Sequence, residues 1–292
     1  MKLGTFRKGR HQFIGTVLDD GRVLDLAGAA ATSQDFQTYS RAFSDMQTLL
    51  PFTDRVAAML ETIPVQNVYL YSLDEVEILA PVTNPEKIIC VGLNYMDHAL
   101  ESNEPIPTEP VIFTKFRTSL TGQGSAIRIP RLSRQVDYEA ELAVVIKKTG
   151  KCIPEANAWE YVAGYTAMND VSARDLQMRG GQWTKGKAVD TFAPLGPYLV
   201  TGDEVGDPHQ LRIQLELNGK LMQDSRTDQL IFKIPQLIAF LSELFTLEPG
   251  DIISTGTPPG VGFVRKPPVF LKPGDQVSVI IDKIGRLTNP VE

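Results

Sequence analysis

The chain of 292 residues carries 29 Lys and Arg against 35 Asp and Glu, a formal net charge of −6, and this acidic balance argues against a protein built to neutralise a phosphate backbone. With 42% hydrophobic and 22% charged residues it has an ordinary globular composition and enough apolar material for a sizeable core. Its longest charge-free stretch, Ile252 to Val264, is too short and too broken by Pro258, Pro259 and glycines to span a bilayer, and a cysteine usage limited to Cys90 and Cys152 predicts a cytoplasmic protein with free thiols.

In chain order, the opening residues Met1 to Phe13 are basic but lead into no apolar run, so no secretory signal is expected. Phe13 to Leu18 and Val23 to Leu26 are apolar segments joined by Asp19-Asp20-Gly21-Arg22, a hairpin signal because Asp-Gly readily takes positive φ. Helical spacing follows at Phe43, Met46, Leu49 and Leu50, then at Val56, Met59 and Leu60, punctuated by Pro51 and Pro64. These features predict a small N-terminal α/β domain over residues 1–80 and a larger domain over 81–292.

The larger part reads as short strands separated by Gly/Pro turns, which predicts a β-rich α+β fold. The clearest strands are Ile88 to Val91, Val111 to Thr114, Glu139 to Ile146, Val162 to Met168, Leu211 to Leu217, Asp251 to Ser254 and Val277 to Ile281. Asn218-Gly219 marks a hairpin. Pro235 to Phe245 carries one apolar helical stripe through Leu237, Ile238, Leu241, Leu244 and Phe245. No internal repeat is present, which removes solenoids and propellers.

Within the Glu139 to Ile146 segment, Ala140, Leu142, Val144 and Ile146 form one apolar face while Ala143 and Val145 share the other with Glu139 and Glu141. Two neighbouring carboxylates on a face that turns apolar repel each other and resist desolvation unless a cation sits between them. Taken alone, a Glu-x-Glu is most often a strand emerging into solvent. Asp170, ending the strand-like run from Val162, would by itself read as a helix cap ahead of Val171-Ser172-Ala173-Arg174. Together the three acids would make a hard, oxygen-only site suited to Mg²⁺ or Mn²⁺, and without a Cys/His cluster zinc is not expected.

Of three histidines, His98 has a suggestive setting: it follows Gly92-Leu93-Asn94-Tyr95, and Glu101 lies three residues on, on the same face of a helical turn. A carboxylate there would fix one imidazole tautomer and raise its basicity, as a general base needs, although an isolated pair of this kind is usually a solvated surface contact. Asn94 and the polar run Glu101 to Pro105 suggest flanks of a gating segment. The loop Ser254 to Gly262 lacks the Gly-Lys-Ser/Thr ending and the strand-to-helix context of nucleotide motifs, so no nucleotide is expected.

The segments KIICVGLNYMDHALE, VDYEAELAVVI, VAGYTAMNDVSARDLQ, WTKGKAVDTFAPLGP and LEPGDIISTGTPPGVG, in this order, resemble the signature blocks of the fumarylacetoacetate hydrolase superfamily over roughly Pro81 to Glu292. The ending GFVRKPPVFLKPGDQV and the preceding small domain are most similar to the branch containing fumarylacetoacetate hydrolase domain-containing protein 2. The resemblance implies a mixed β-sandwich roll assembled as a homodimer. It also implies that Glu139, Glu141 and Asp170 hold the divalent metal and that His98 and Glu101 are the catalytic dyad on a mobile segment. By the same resemblance Lys187 is the active-site lysine, and Arg174, Gln177 and Thr257 line the cavity for a small 2-oxo acid. In such a site a hard cation chelates a carboxylate and its adjacent 2-oxo group and stabilises an enolate. One enolate permits oxaloacetate enol–keto tautomerisation, ranked first on the branch resemblance, hydrolytic C–C cleavage of an acylpyruvate or fumarylpyruvate-type 2,4-dioxo acid, or oxaloacetate decarboxylation. A binding protein without turnover would need no base, and the retained dyad argues against it.

Overall fold

The computed structural model describes residues 1–62, 69–102 and 105–292; Pro64, Asn103 and Glu104, named above, lie outside the described residues. A twelve-stranded sheet runs from Leu70–Tyr71 through Val23–Asp25, His11–Val17, Lys2–Lys8, Ala193–Val200, Val162–Asn169, Ala140–Ile146, Ile252–Ser254 and Ile88–Gly92 to Val111–Lys115 at the far edge, with Glu77–Ile78 and Leu120–Thr121 pairing off this path. A four-stranded antiparallel sheet, ordered Lys220–Arg226, Arg212–Leu217, Gln276–Ile281 and Gly285–Pro290, packs on the first. The fold is α+β and sheet-dominated, a mixed β-sandwich roll.

The alternation of the central strand builds both sides of the core. Leu142, Val144 and Ile146 point into the layer shared with the second sheet and the Ile234–Leu244 helix, whereas Ala143 and Val145 face the layer formed with the N-terminal helices. Each of the three larger side chains, fully buried, stabilises the fold by roughly 1.5–3 kcal/mol. Every residue of this strand is buried, so the pairs Leu142↔Ala167 and Val144↔Tyr165 with its antiparallel neighbour cannot slip without moving apolar side chains to the wrong layer.

Among the strands not legible in the sequence, two join the parts of the large sheet. Lys2–Lys8, inside the basic opening, pairs with His11–Val17 and, through Lys2↔Val200 and Leu3↔Leu199, with Ala193–Val200. The sheet of the first eighty residues is therefore continuous with that of the remainder. Ala193–Val200 contains Pro194 and Pro197, which demote a run as a strand candidate because proline cannot donate to the ladder. Among the described residues no helix is long and apolar enough to cross a membrane.

Candidate metal and proton-transfer site

The antiparallel register decides what the carboxylates become. Ala140 pairs with Asn169 and Glu141 with Met168, so the next positions out, Glu139 and Asp170, stand opposite each other, tied by the Asp170 N–H to the Glu139 carbonyl at 2.9 Å. Asp170 caps no helix; Ala173 occupies the cap position of the short Arg174–Gln177 helix. Carboxylate oxygens of Glu139, Glu141 and Asp170 lie within 4.8 Å of one another, and all three residues are buried.

Three cations surround them. Lys187, on the short Thr184–Lys187 helix, donates from Nζ to Glu139 Oε2 at 2.8 Å and to Asp170 Oδ2 at 2.7 Å. Arg174 Nη2 reaches Glu139 Oε1 at 2.6 Å and Asp137 Oδ2 at 2.8 Å. Its guanidinium thus pairs with Asp137 and Glu139, not with Asp175 or Asp170, the local partners its sequence neighbourhood offers; Asp175 instead accepts from Ser133 Oγ and the Arg134 N–H. Lys115 Nζ stands 2.7 Å from Asp170 Oδ1 but is directed at the carbonyls of Val171 and Lys187, so that this oxygen, though electrostatically paired, accepts no hydrogen bond.

Burial raises the Glu139 carboxyl, but Lys187 and Arg174 outweigh it and hold the group down at about 2. Glu141 goes the other way: burial first, then the charges of Asp170 and Glu139, push it well above the usual carboxylate range, against the hydrogen bond from Ser254. Burial also pulls on the Lys187 ammonium, yet Asp170 and Glu139 keep it above its ordinary value. A buried oxygen without a hydrogen bond, a carboxyl driven toward protonation by burial and then by its acidic neighbours, and an all-oxygen donor set fit a divalent hard cation.

His98 lies on the Met96–Ser102 helix, and its Nδ1 is 3.2 Å from Glu101 Oε2. Glu101 also accepts from the Gly260 N–H at 3.2 Å, which joins the dyad to the loop after Ser254. Asn94 does not behave as the loose flank expected from its polarity. It is fully buried, donates to the carbonyls of Thr255 and Phe232 and accepts from the Phe232 N–H, because an amide has both donors and an acceptor to satisfy and the fold supplies all three. A side chain at Gly256, where φ is +107°, would also press within 2.9 Å of Asn94 Cβ.

A cavity of about 400 Å³ is lined by His98, Glu139, Glu141, Arg174, Gln177, Lys187 and Thr257, so all the sequence candidates except Glu101 and Asp170 reach its wall, and those two sit directly behind it. Thr257 donates to the Ala140 carbonyl and accepts from Gln223; Gln177 accepts from Arg174 Nη1. Phe113 and Trp183, edge to face with centroids 5.4 Å apart, add an aromatic wall. Sequence reading missed Lys115 and Asp137. The signals were there: Asp137 continues the two-residue alternation of Glu139 and Glu141, and Lys115 shares a strand face with Phe113.

The whole chain can also be set beside known proteins. The family model described as fumarylacetoacetate (FAA) hydrolase C-terminal matches residues 87–292. The chain is 56% identical over 227 residues to the mitochondrial oxaloacetate tautomerase of Xenopus laevis, covering 77% of this chain and 71% of that protein. Among solved structures, the fumarylacetoacetate hydrolase of psychrophilic Exiguobacterium antarcticum superposes with a TM-score of 0.85 at 35% identity, over 100% of this chain and 99% of the other. The maleylpyruvate hydrolase of Sphingobium sp. SYK-6, solved in complex with manganese(II) and pyruvate, superposes at 0.77 with 30% identity, over 100% and 98%. The cytoplasmic expectation is overturned by the curated relatives, since the frog protein and its cattle and human counterparts are mitochondrial. A low cysteine count reports a reducing milieu, which more than one compartment provides.

Proposed function

The chain belongs to the fumarylacetoacetate hydrolase family, and we propose that it is a divalent-metal-dependent oxaloacetate tautomerase, interconverting the enol and keto forms of that 2-oxo acid. The observation that carries the reading is one cavity lined by Glu139 and Glu141, with Asp170 of the same buried triad behind them, and by a histidine paired with glutamate. Glu139, Glu141 and Asp170 would hold Mg²⁺ or Mn²⁺, which when bound supplies the Lewis acidity that stabilises negative charge on the 2-oxo group. The manganese in the Sphingobium hydrolase supports that choice of ions.

The chain's own residues do the rest. Lys187 presents an ammonium at the cavity wall beside the carboxylates, where it favours the developing oxyanion. Glu101 holds His98 through Nδ1 and leaves Nε2 for moving a proton at C3. Arg174 and Gln177, bonded to each other, fix the polar side of the cavity. Residues 81–292 carry this chemistry, residues 1–80 form a small unit bracing the sheet, and the protein works as a homodimer.

The test is direct. With Mg²⁺ or Mn²⁺ present, the ultraviolet absorbance of enol-oxaloacetate should fall faster than in buffer without release of pyruvate. A second reading, C–C hydrolysis of an acylpyruvate, is favoured by the same His98–Glu101 pair, which could equally activate water, and by the likeness to a maleylpyruvate hydrolase. Stoichiometric pyruvate and carboxylic acid from an acylpyruvate, with only weak acceleration of enol loss, would replace the first reading by the second.

A further inference from the structure

Asp137 is fully buried, does not itself line the cavity, and takes no part in the chemistry above, yet it accepts four hydrogen bonds and a further ion-pair contact. Oδ1 receives the N–H groups of Tyr138 and Gly262, each at 2.8 Å. Oδ2 receives the Arg174 Nε–H at 2.9 Å and the Phe263 N–H at 3.0 Å, and Arg174 Nη2 is ion-paired to it at 2.8 Å. A carboxylate has about four lone-pair sites, so this one is saturated by groups from three separate stretches of chain.

Those stretches lead to the two halves of the site. Arg174, gripped through Nε and Nη2, extends the same Nη2 to Glu139 Oε1 at 2.6 Å, which leaves that carboxylate no freedom to swing away from Glu141 and Asp170. Gly262 and Phe263 lie two and three residues after Gly260, whose N–H holds Glu101 and through it His98. The loop approaches closely: a Cβ on Gly262 would stand 2.6 Å from Asp137 Oδ1 and 1.9 Å from the Val269 carbonyl, so only glycine lets the backbone seat on the carboxylate.

We propose that Asp137 is a positioning residue that sets both the carboxylate triad, through Arg174, and the His98–Glu101 dyad, through the Gly260–Phe263 backbone, so that one buried charge fixes the distance between the cation's holders and the proton-transfer group. The metal arm rests on the reading that Glu139 holds the cation; the loop arm does not. Partners one shell out from a metal ligand typically govern about 10–100-fold in affinity or activity.

The experiment uses the full chain and Mn²⁺ as probe, with calorimetric Mn²⁺ affinity and amide hydrogen exchange of residues 96–101 and 260–263 measured at a temperature where each variant is folded. Asp137→Asn should weaken Mn²⁺ roughly tenfold or more and speed exchange in both segments. Arg174→Lys should weaken Mn²⁺ and leave the exchange of residues 260–263 at the wild-type rate. Glu101→Ala should speed exchange in residues 96–101 and leave Mn²⁺ affinity unchanged. A purely structural Asp137 would lower the thermal midpoint and move neither readout in the folded protein, and that result overturns the proposal. If Asp137→Asn does not fold, Arg174→Lys decides the metal arm, because wild-type Mn²⁺ affinity there would refute it. Wild-type protein that binds no Mn²⁺ would instead refute the metal reading, while the loop arm would still stand or fall on the exchange data.

Discussion

The floor of the cavity and the helix that carries His98 are built in opposite ways. On the floor, the side chains of Lys115, Asp170 and Lys187 are at most 2% exposed, and both oxygens of Glu139 and of Asp170 are met by cations from other strands or helices, while Glu141 is held by Ser254 and the Gly256 N–H. On the helix, the His98 and Glu101 side chains are 12% and 33% exposed, and they are held by one mutual contact, the Gly260 N–H, and a bond from Ser225 to the neighbouring Asp97. Groups that must hold fixed charge are preorganised by burial. On the proposed reading, the groups that would move a proton and admit substrate are held by bonds that water can replace at little cost.

The largest expected effect comes from emptying the floor. Chelation of divalent metal, or Glu141→Ala, should bring enol-oxaloacetate turnover to the buffer rate, with restoration by Mg²⁺ or Mn²⁺ in the chelated wild type only; full turnover in chelated protein would break the contrast at its root. His98→Ala should cost about 10²–10⁴-fold in turnover, the range for a general acid or base, while calorimetric Mn²⁺ affinity stays at the wild-type value. A fall in affinity instead would mean that the helix belongs to the floor.

Lys115→Met tests how much the floor's charge balance matters to the fold itself. It leaves Asp170 Oδ1 buried beside an apolar side chain, and breaking a buried ion pair from one side costs about 3–5 kcal/mol. Urea denaturation should show a loss of that size. Ser225→Ala is the smallest change: it removes the tether on the Asp97 carboxylate, worth about 1.5–3 kcal/mol. Exchange across residues 96–101 should quicken while the global denaturation midpoint holds. A global loss comparable to that of Lys115→Met would show that the helix is as deeply integrated as the floor.

Much of this contrast was legible before folding is considered, because it depends on local periods. The side-chain alternation of an extended chain places Glu139 and Glu141 on one face, and the three-residue spacing of a helical turn places Glu101 beside His98, wherever those segments end up. The same local rules gave the Asn218-Gly219 hairpin and the Leu237, Ile238 and Leu241 stripe of the Ile234–Leu244 helix, although Leu244, expected in that stripe, is exposed and Phe245 lies past the helix end. Asn94 was misjudged because polarity reads as exposure until the fold supplies buried partners for its amide.

What the sequence by itself determined, then, is which side chains share a face and which segments alternate or coil: these are properties of a few consecutive dihedrals. Only the tertiary structure decided that Asp170 stands across from Glu139, that Arg174 spends its guanidinium on Asp137 rather than on its neighbour Asp175, that Lys115 comes to Asp170 from the sheet's far edge, and that Lys2–Lys8 completes a sheet with residues nearly two hundred positions away. Those pairings are fixed by strand register and by the need to bury two apolar layers at once. Both are set by contacts between distant segments, and no local pattern encodes which distant segment will arrive.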